Sequence, residues 1–114
     1  MQRLLPLLFW AALIFAFTMA VVPHPPEVPG HPSDKIQHIL AFVVLSGLGA
    51  FAFPRTGLIA IGIRLSAFGA LIEVVQAIPV LHRDCDIFDW LADSAAILAI
   101  LIPIALFRRR ADAA

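Results

Sequence analysis

Residues 58–78 read LIAIGIRLSAFGALIEVVQAI and carry only two charges, Arg64 and Glu73. At 1.5 Å per residue a helix of this length covers about 30 Å, the hydrocarbon thickness of a bilayer. Working outward, the same pattern recurs three times. Leu4 to Val22 has no charge, Ile36 to Phe53 has His38 as its ionisable member, and Ile87 to Phe107 contains Asp89 and Asp93. The sequence therefore predicts an all-α integral membrane bundle of four transmembrane helices, at about 4–22, 36–53, 58–78 and 87–107. These spans take up most of the 114 residues, so the chain reads as one membrane domain, 1–114, with no room for a soluble one. Composition agrees: 61% of residues are hydrophobic, 14% are charged, and the mean hydropathy is +0.95, whereas soluble domains are near a quarter charged.

Eight basic residues balance eight acidic ones, which leaves no positive field to attract nucleic acid. The single cysteine, Cys85, excludes an internal disulfide and any Cys-pair metal site, and no cofactor is expected. Leu4 to Val22 is longer than the apolar core of a cleaved signal peptide, which favours a retained helix. With four spans, Arg3, Arg55 and Arg108 to Arg110 fall on one side of the membrane and Lys35 and Arg83 on the other. The positive-inside rule then makes both termini cytoplasmic. Arg64 is expected to snorkel towards that same cytoplasmic face. Pro54-Arg55-Thr56-Gly57 reads as a tight turn that makes the second and third helices antiparallel neighbours. Pro23 to Ser33 holds five of the nine prolines and is expected to be an extended strap, with His24 and His31 as solvated loop residues. Ala111 to Ala114 is expected to be an unstructured tail.

Ionisable side chains inside the bilayer are costly and must be compensated, so their placement is informative. His38 lies about one turn inside the outer end of the second helix. Glu73 lies six residues before Pro79 and Asp93 six after Ile87, each roughly 9 Å below the outer surface. Positions three, four and seven apart share a helix face. Asp34, Lys35 and His38 form one stripe, Gly69, Glu73 and Gln76 a second, and Arg83, Asp86, Asp89, Asp93 and Ala96 a third. Three helices thus aim polar groups inward at one level, predicting a polar, partly hydrated pocket in the outer half. Small residues, among them Gly47, Gly49, Gly62, Ser66, Gly69, Ala92 and Ala96, would let the helices approach closely below it.

Several kinds of chemistry fit this set. Lys35 and Arg83 could contact anionic oxygens of a cell-envelope or lipid-linked ligand, with His38, Glu73, Gln76, Asp86, Asp89 and Asp93 completing a binding site. Glu73 and His38 could instead act as general acid and base on a lipid-linked substrate, although no activated nucleophile accompanies them. One histidine and three carboxylates could hold a divalent cation, but Lys35 and Arg83 would compete for the carboxylates, so no metal is expected. The charges could also pair among themselves, as a polar clamp between helices or in a structural partner subunit. Asp84 and Asp86 precede the fourth helix, where a carboxylate caps free N–H groups. Glu73 and Gln76 have no such local role. Trp90 reads as an interfacial belt residue, and Phe9, Trp10, Phe15 and Phe17 as packing or lipid-facing residues. The lipid bilayer is the expected partner; ion transport by four helices without an inverted repeat would require an oligomer.

Three blocks carry a family resemblance: Asp34-Lys35-x-x-His38-x-x-Ala41-Phe42, Gly69-x-x-x-Glu73-x-x-Gln76, and Arg83-x-x-Asp86-x-x-Asp89-x-x-Ala92-Asp93. In this order, on three helices of a four-span chain, they make residues 34–100 resemble the VanZ-like family of small bacterial membrane proteins. Asp93 stands where that family often has Asn, and Ala96 where it often has Gly. The resemblance implies a membrane protein associated in some members with teicoplanin resistance, and supplies no biochemical activity.

Overall fold

The computed structural model describes residues 3–22, 34–79 and 86–113, and every regular element among them is a helix. Helix α1 spans Leu4–Val21, α2 Asp34–Ala52, α3 Leu58–Gln76 and α4 Ile87–Ala113. All four are long and apolar enough to cross a membrane. The architecture is the expected all-α four-helix bundle.

Helix ends follow local chemistry. Pro6 lies in the first turn of α1, where its missing N–H has no intrahelical acceptor to lose. Between α2 and α3, the Thr56 N–H donates to the Phe53 carbonyl at 3.0 Å, closing a turn with Pro54 in its second position, and Gly57 caps α3 in extended conformation. Helix α3 stops at Gln76, two residues short of the expected Ile78. Pro79 disfavours a helical Ile78, and the chain tightens into i→i−3 bonds, 3.3 Å from Ala77 to Val74 and 3.0 Å from Ile78 to Val75. Helix α2 starts two residues earlier than expected, bringing Asp34 and Lys35 inside it. Helix α4 corrects the reading of an unstructured tail: it runs through Arg108 to Arg110 as far as Ala113, through residues of good helix propensity. Arg108 Nη2 donates to the Ala50 carbonyl at 3.0 Å, and its guanidinium lies 5.6 Å from the Phe51 ring centroid. Pro103 sits within α4 without ending it, as a bilayer-spanning helix tolerates.

Contacts fix the topology. His38 meets Asp93 near the starts of α2 and α4, and Ala50 meets Arg108 further along both, so these helices run parallel. Gln76 meets Ala20, placing the ends of α1 and α3 together. α1 and α3 therefore run opposite to α2 and α4. The most extensive packing is between α2 and α4, then between α3 and α4, while α1 lies mainly against α2. Phe42, Leu45, Ile72, Ile97 and Leu101 form the centre of the core. Towards the Pro54 turn, the Phe9 ring is edge-on to Phe53, with centroids 5.2 Å apart. Gly49 and Gly62 allow close approach, since a Cβ on either would lie 3.2 to 3.3 Å from Phe9 or Leu101. Gly47 does not, because nothing lies within 4 Å of a Cβ there.

The radial distribution of polarity is inverted relative to a soluble domain. Ile59, Phe107, Val74, Leu7 and Phe15 are among the exposed side chains, while His38, Ser46, Glu73, Gln76, Asp89 and Asp93 are buried. An apolar exterior this continuous requires an apolar solvent, which is the bilayer.

Candidate functional site

The buried polar groups other than Ser46 gather at one end of the bundle, where α2 and α4 start and α3 finishes. Asp86 immediately precedes α4, and its Oδ1 accepts the Phe88 N–H at 2.9 Å, the expected N-terminal cap. Its own N–H donates to Glu73 Oε2 at 2.9 Å. Glu73 thus has a local structural role that its sequence position did not reveal. With α3 ending at Gln76, Glu73 stands one turn from the helix end and reaches across to the start of α4. Gln76 has one as well: its Nε2 donates to the Ala20 carbonyl at 2.9 Å, satisfying one of the orphan carbonyls in the last turn of α1. The site is therefore assembled from all four helices, not only from α2 to α4.

One turn further in, charges pair between the parallel helices. Lys35 Nζ lies 3.9 Å from Asp89 Oδ1, with the lysine side chain 47% exposed and the aspartate 11%. His38 Nδ1 lies 3.5 Å from Asp93 Oδ1, and the Asp93 side chain is completely buried. Neither of these two atoms makes a hydrogen bond, nor do Asp93 Oδ2, Glu73 Oε1 and Gln76 Oε1. Gly69 makes the arrangement possible, because a Cβ there would stand 3.1 Å from Asp93 Oδ2.

Of the eight residues expected to bind a ligand, Lys35, His38, Glu73, Gln76, Asp86, Asp89 and Asp93 are brought together at this end. Arg83 lies outside the described residues, as do Asp84, Cys85, His24, His31 and the proline-rich strap. Arg64 is exposed on α3, away from the cluster. Trp90, read as an interfacial belt residue, turns its Nε1 inward to donate to the Ser66 carbonyl at 3.0 Å, and its ring edge lies over Gly69. Beside the cluster lies an apolar groove of about 340 Å³ between α1 and α2, lined by Phe15, Met19, Leu40, Val44 and Ile72 with Gln37 and His38 at its polar end.

Two features lie beyond the sequence reading, and a third is the cation grouping that the sequence argues against. Ser66 and Ser94 hydrogen-bond between α3 and α4 at 3.0 Å, and Ser46 is fully buried with no partner for its hydroxyl. Ser66 continues the Gly69, Glu73, Gln76 stripe, and Ser46 lies eight residues after His38, so helical spacing carried both signals. Third, His38, Glu73 and Asp93 each offer one donor atom, and these atoms lie within 4.8 Å of one another. Acid-base chemistry finds no activated nucleophile among the described residues, since the Ser66 and Ser94 hydroxyls engage each other and the Ser46 hydroxyl touches no base.

Fold and site together define a multi-pass, all-α membrane bundle with a buried polar cluster at one end. Comparison with protein-family models, with curated proteins and with solved structures finds no match to this chain.

Proposed function

We propose that this chain is a VanZ-like protein of the bacterial inner membrane, with both termini cytoplasmic, which recognises a lipid-linked component of the cell envelope at the extracytoplasmic end of the bundle. The observation that carries the reading is the position of His38. It forms part of the polar cluster and also the polar end of the apolar groove between α1 and α2. An amphipathic ligand needs such a junction, with its hydrocarbon chain along Phe15, Leu40 and Val44 and its head group at the cluster. Glu73 Oε1 and Gln76 Oε1 are acceptors without donors and suit hydroxyl or amide groups of the head group. Lys35, half exposed beside them, suits an anionic oxygen. The resemblance to VanZ-like proteins extends the proposal to glycopeptide exposure, where loss of the protein would lower teicoplanin tolerance in its host.

Retention of native lipid tests the binding reading. The full chain is purified in mild detergent, and bound lipids are identified by native mass spectrometry. Ala41→Phe, which fills the groove, should abolish retention of a defined envelope lipid while leaving the helical content unchanged. Absence of any selectively retained lipid, or equal retention by the variant, overturns it.

A second reading has its own observations. The pairs Lys35–Asp89, His38–Asp93 and Glu73–Asp86 link α2, α3 and α4, as a clamp that serves assembly alone would. Under that reading Glu73→Gln lowers stability with no effect on lipid retention.

A further inference from the structure

We infer that His38, Glu73 and Asp93 form a binding site for a divalent cation of the zinc type, one that the charges in the sequence argued against. The first ground is geometric. One donor atom from each of the three residues falls within a common 4.8 Å. The 3.5 Å between His38 Nδ1 and Asp93 Oδ1 is an unmade hydrogen bond, since neither atom has a partner. Two ligands on a tetrahedral zinc ion, each bonded at about 2.0 to 2.1 Å, stand about 3.3 to 3.4 Å apart. The spacing of this pair, poor for a hydrogen bond, is close to that of two ligands on a shared cation, and a modest approach of Glu73 would complete the set.

The second ground is the unmet demand of the buried atoms. Both Asp93 oxygens are without hydrogen bonds in a side chain with no exposure at all, and Glu73 Oε1 is unpartnered in a residue 6% exposed. Buried carboxylates are paired or coordinate metal. The sequence sets two cations against a metal here: Lys35 stands against Asp89, and Arg83 lies outside the described residues. Among the described residues no Lys or Arg is at ion-pair distance from Glu73 or Asp93.

The third ground is the donor set. One imidazole nitrogen with two carboxylates suits zinc better than calcium or magnesium, which prefer oxygen alone. Glu73 is also held as a metal ligand should be: the Asp86 N–H fixes Oε2 and leaves Oε1 pointing at no other partner. Three protein ligands leave a fourth position, with the unpartnered Gln76 Oε1 in the same cluster.

The site does not rest on the lipid reading, and zinc binding is measured in detergent without envelope lipid, so either can fail alone. The full chain, carrying no polyhistidine tag, is titrated with zinc chloride against a chromophoric chelator and analysed for bound metal after dialysis. The expected result is one zinc per chain. Asp93→Asn and Glu73→Gln should each weaken affinity at least about ten-fold, and Asp112→Asn should leave it unchanged. X-ray absorption should show nitrogen and oxygen ligands at about 2.0 to 2.1 Å without sulfur. Absence of saturable binding, a sulfur ligand, or unchanged affinity in both variants overturns the assignment. Should Asp93→Asn lose its helical circular dichroism, Glu73→Gln decides alone, because its amide oxygen still accepts the Asp86 N–H.

Discussion

The side-chain amide of Gln76 donates to the main-chain carbonyl of Ala20, 56 residues earlier, and this 2.9 Å bond ties the last turn of α1 to the last turn of α3. Helix α1 is otherwise held mainly by apolar packing: Phe9 and Ala20 are its buried residues, and Leu13, Phe17 and Val21 pack partly buried against the core. Gln76→Leu keeps the volume and removes the donor. It should lower stability by about 1 kcal/mol, the range for a single interhelical hydrogen bond in a membrane, measured as a shift in thermal unfolding in detergent. Protease sensitivity near the end of α1 should rise in the same variant. An unchanged profile would show that Phe9 and its neighbours hold α1 unaided.

Glu73 offers a sharper comparison, because one oxygen accepts the Asp86 N–H and the other accepts nothing. Glu73→Gln retains an acceptor for the start of α4, whereas Glu73→Ala leaves that N–H and the space beside it unfilled. The alanine variant should lose about 1 to 3 kcal/mol, and the glutamine variant less than half of that. Chemical denaturation of the two side by side checks the order. Equal losses would mean that the charge of Glu73, not its hydrogen bond, stabilises the junction.

Which parts of this arrangement could be read in advance follows from what helical spacing encodes. Spacing of three, four and seven placed Lys35, His38, Glu73, Gln76, Asp89 and Asp93 on inward faces at one end, and the structure keeps them there. Spacing does not encode the rotation and axial offset of one helix against another, so it could not choose the partners. Lys35 selects Asp89 and His38 selects Asp93 because α2 and α4 run parallel with their starts level. A third helix carried to Ile78 puts Glu73 roughly 9 Å below the outer surface and gives neither Glu73 nor Gln76 a local role. Pro79 withdraws the last turn, and both side chains then act at a helix end. Depth alone gives Trp90 an interfacial place and no partner, while the room left by Gly69 lets its ring edge pack against α3.

Ser46 provides a case where removing a polar group should help. Its side chain is completely buried and its hydroxyl has no partner, so its desolvation is uncompensated. Ser46→Ala should be neutral or stabilising by up to about 1 kcal/mol, seen as an equal or higher unfolding temperature. A clear loss of stability would reveal that the hydroxyl is engaged in the membrane-embedded protein.

The proposed orientation has a direct chemical test. In a Cys85→Ser background, Thr56→Cys in the turn between α2 and α3 and Asp112→Cys near the end of α4 lie at the same end of the bundle. Both should resist a membrane-impermeant maleimide on intact cells and react once the membrane is opened. Labelling of both from outside would invert the topology and put the polar cluster on the cytoplasmic side. Labelling of only one would contradict the four-span topology itself.

Two glycines in similar sequence surroundings should respond oppositely to the same change. A Cβ at Gly69 would lie 3.1 Å from Asp93 Oδ2, 3.3 Å from Phe42 Cζ and 3.5 Å from Trp90 Cδ1. Asp93 and Phe42 are both fully enclosed, so neither can yield without disturbing the contact between α2 and α4. Gly69→Ala should therefore cost about 1 to 3 kcal/mol, as overpacking does, and should disturb the approach of His38 to Asp93. At Gly47 a Cβ would meet nothing within 4 Å, and the added methyl brings only the better helix propensity of alanine, up to about 1 kcal/mol. Gly47→Ala should accordingly raise the unfolding temperature while Gly69→Ala lowers it, in the same detergent and at the same protein concentration. If both variants rise, Asp93 has room to move, and the close packing that holds it against His38 is looser than these distances imply.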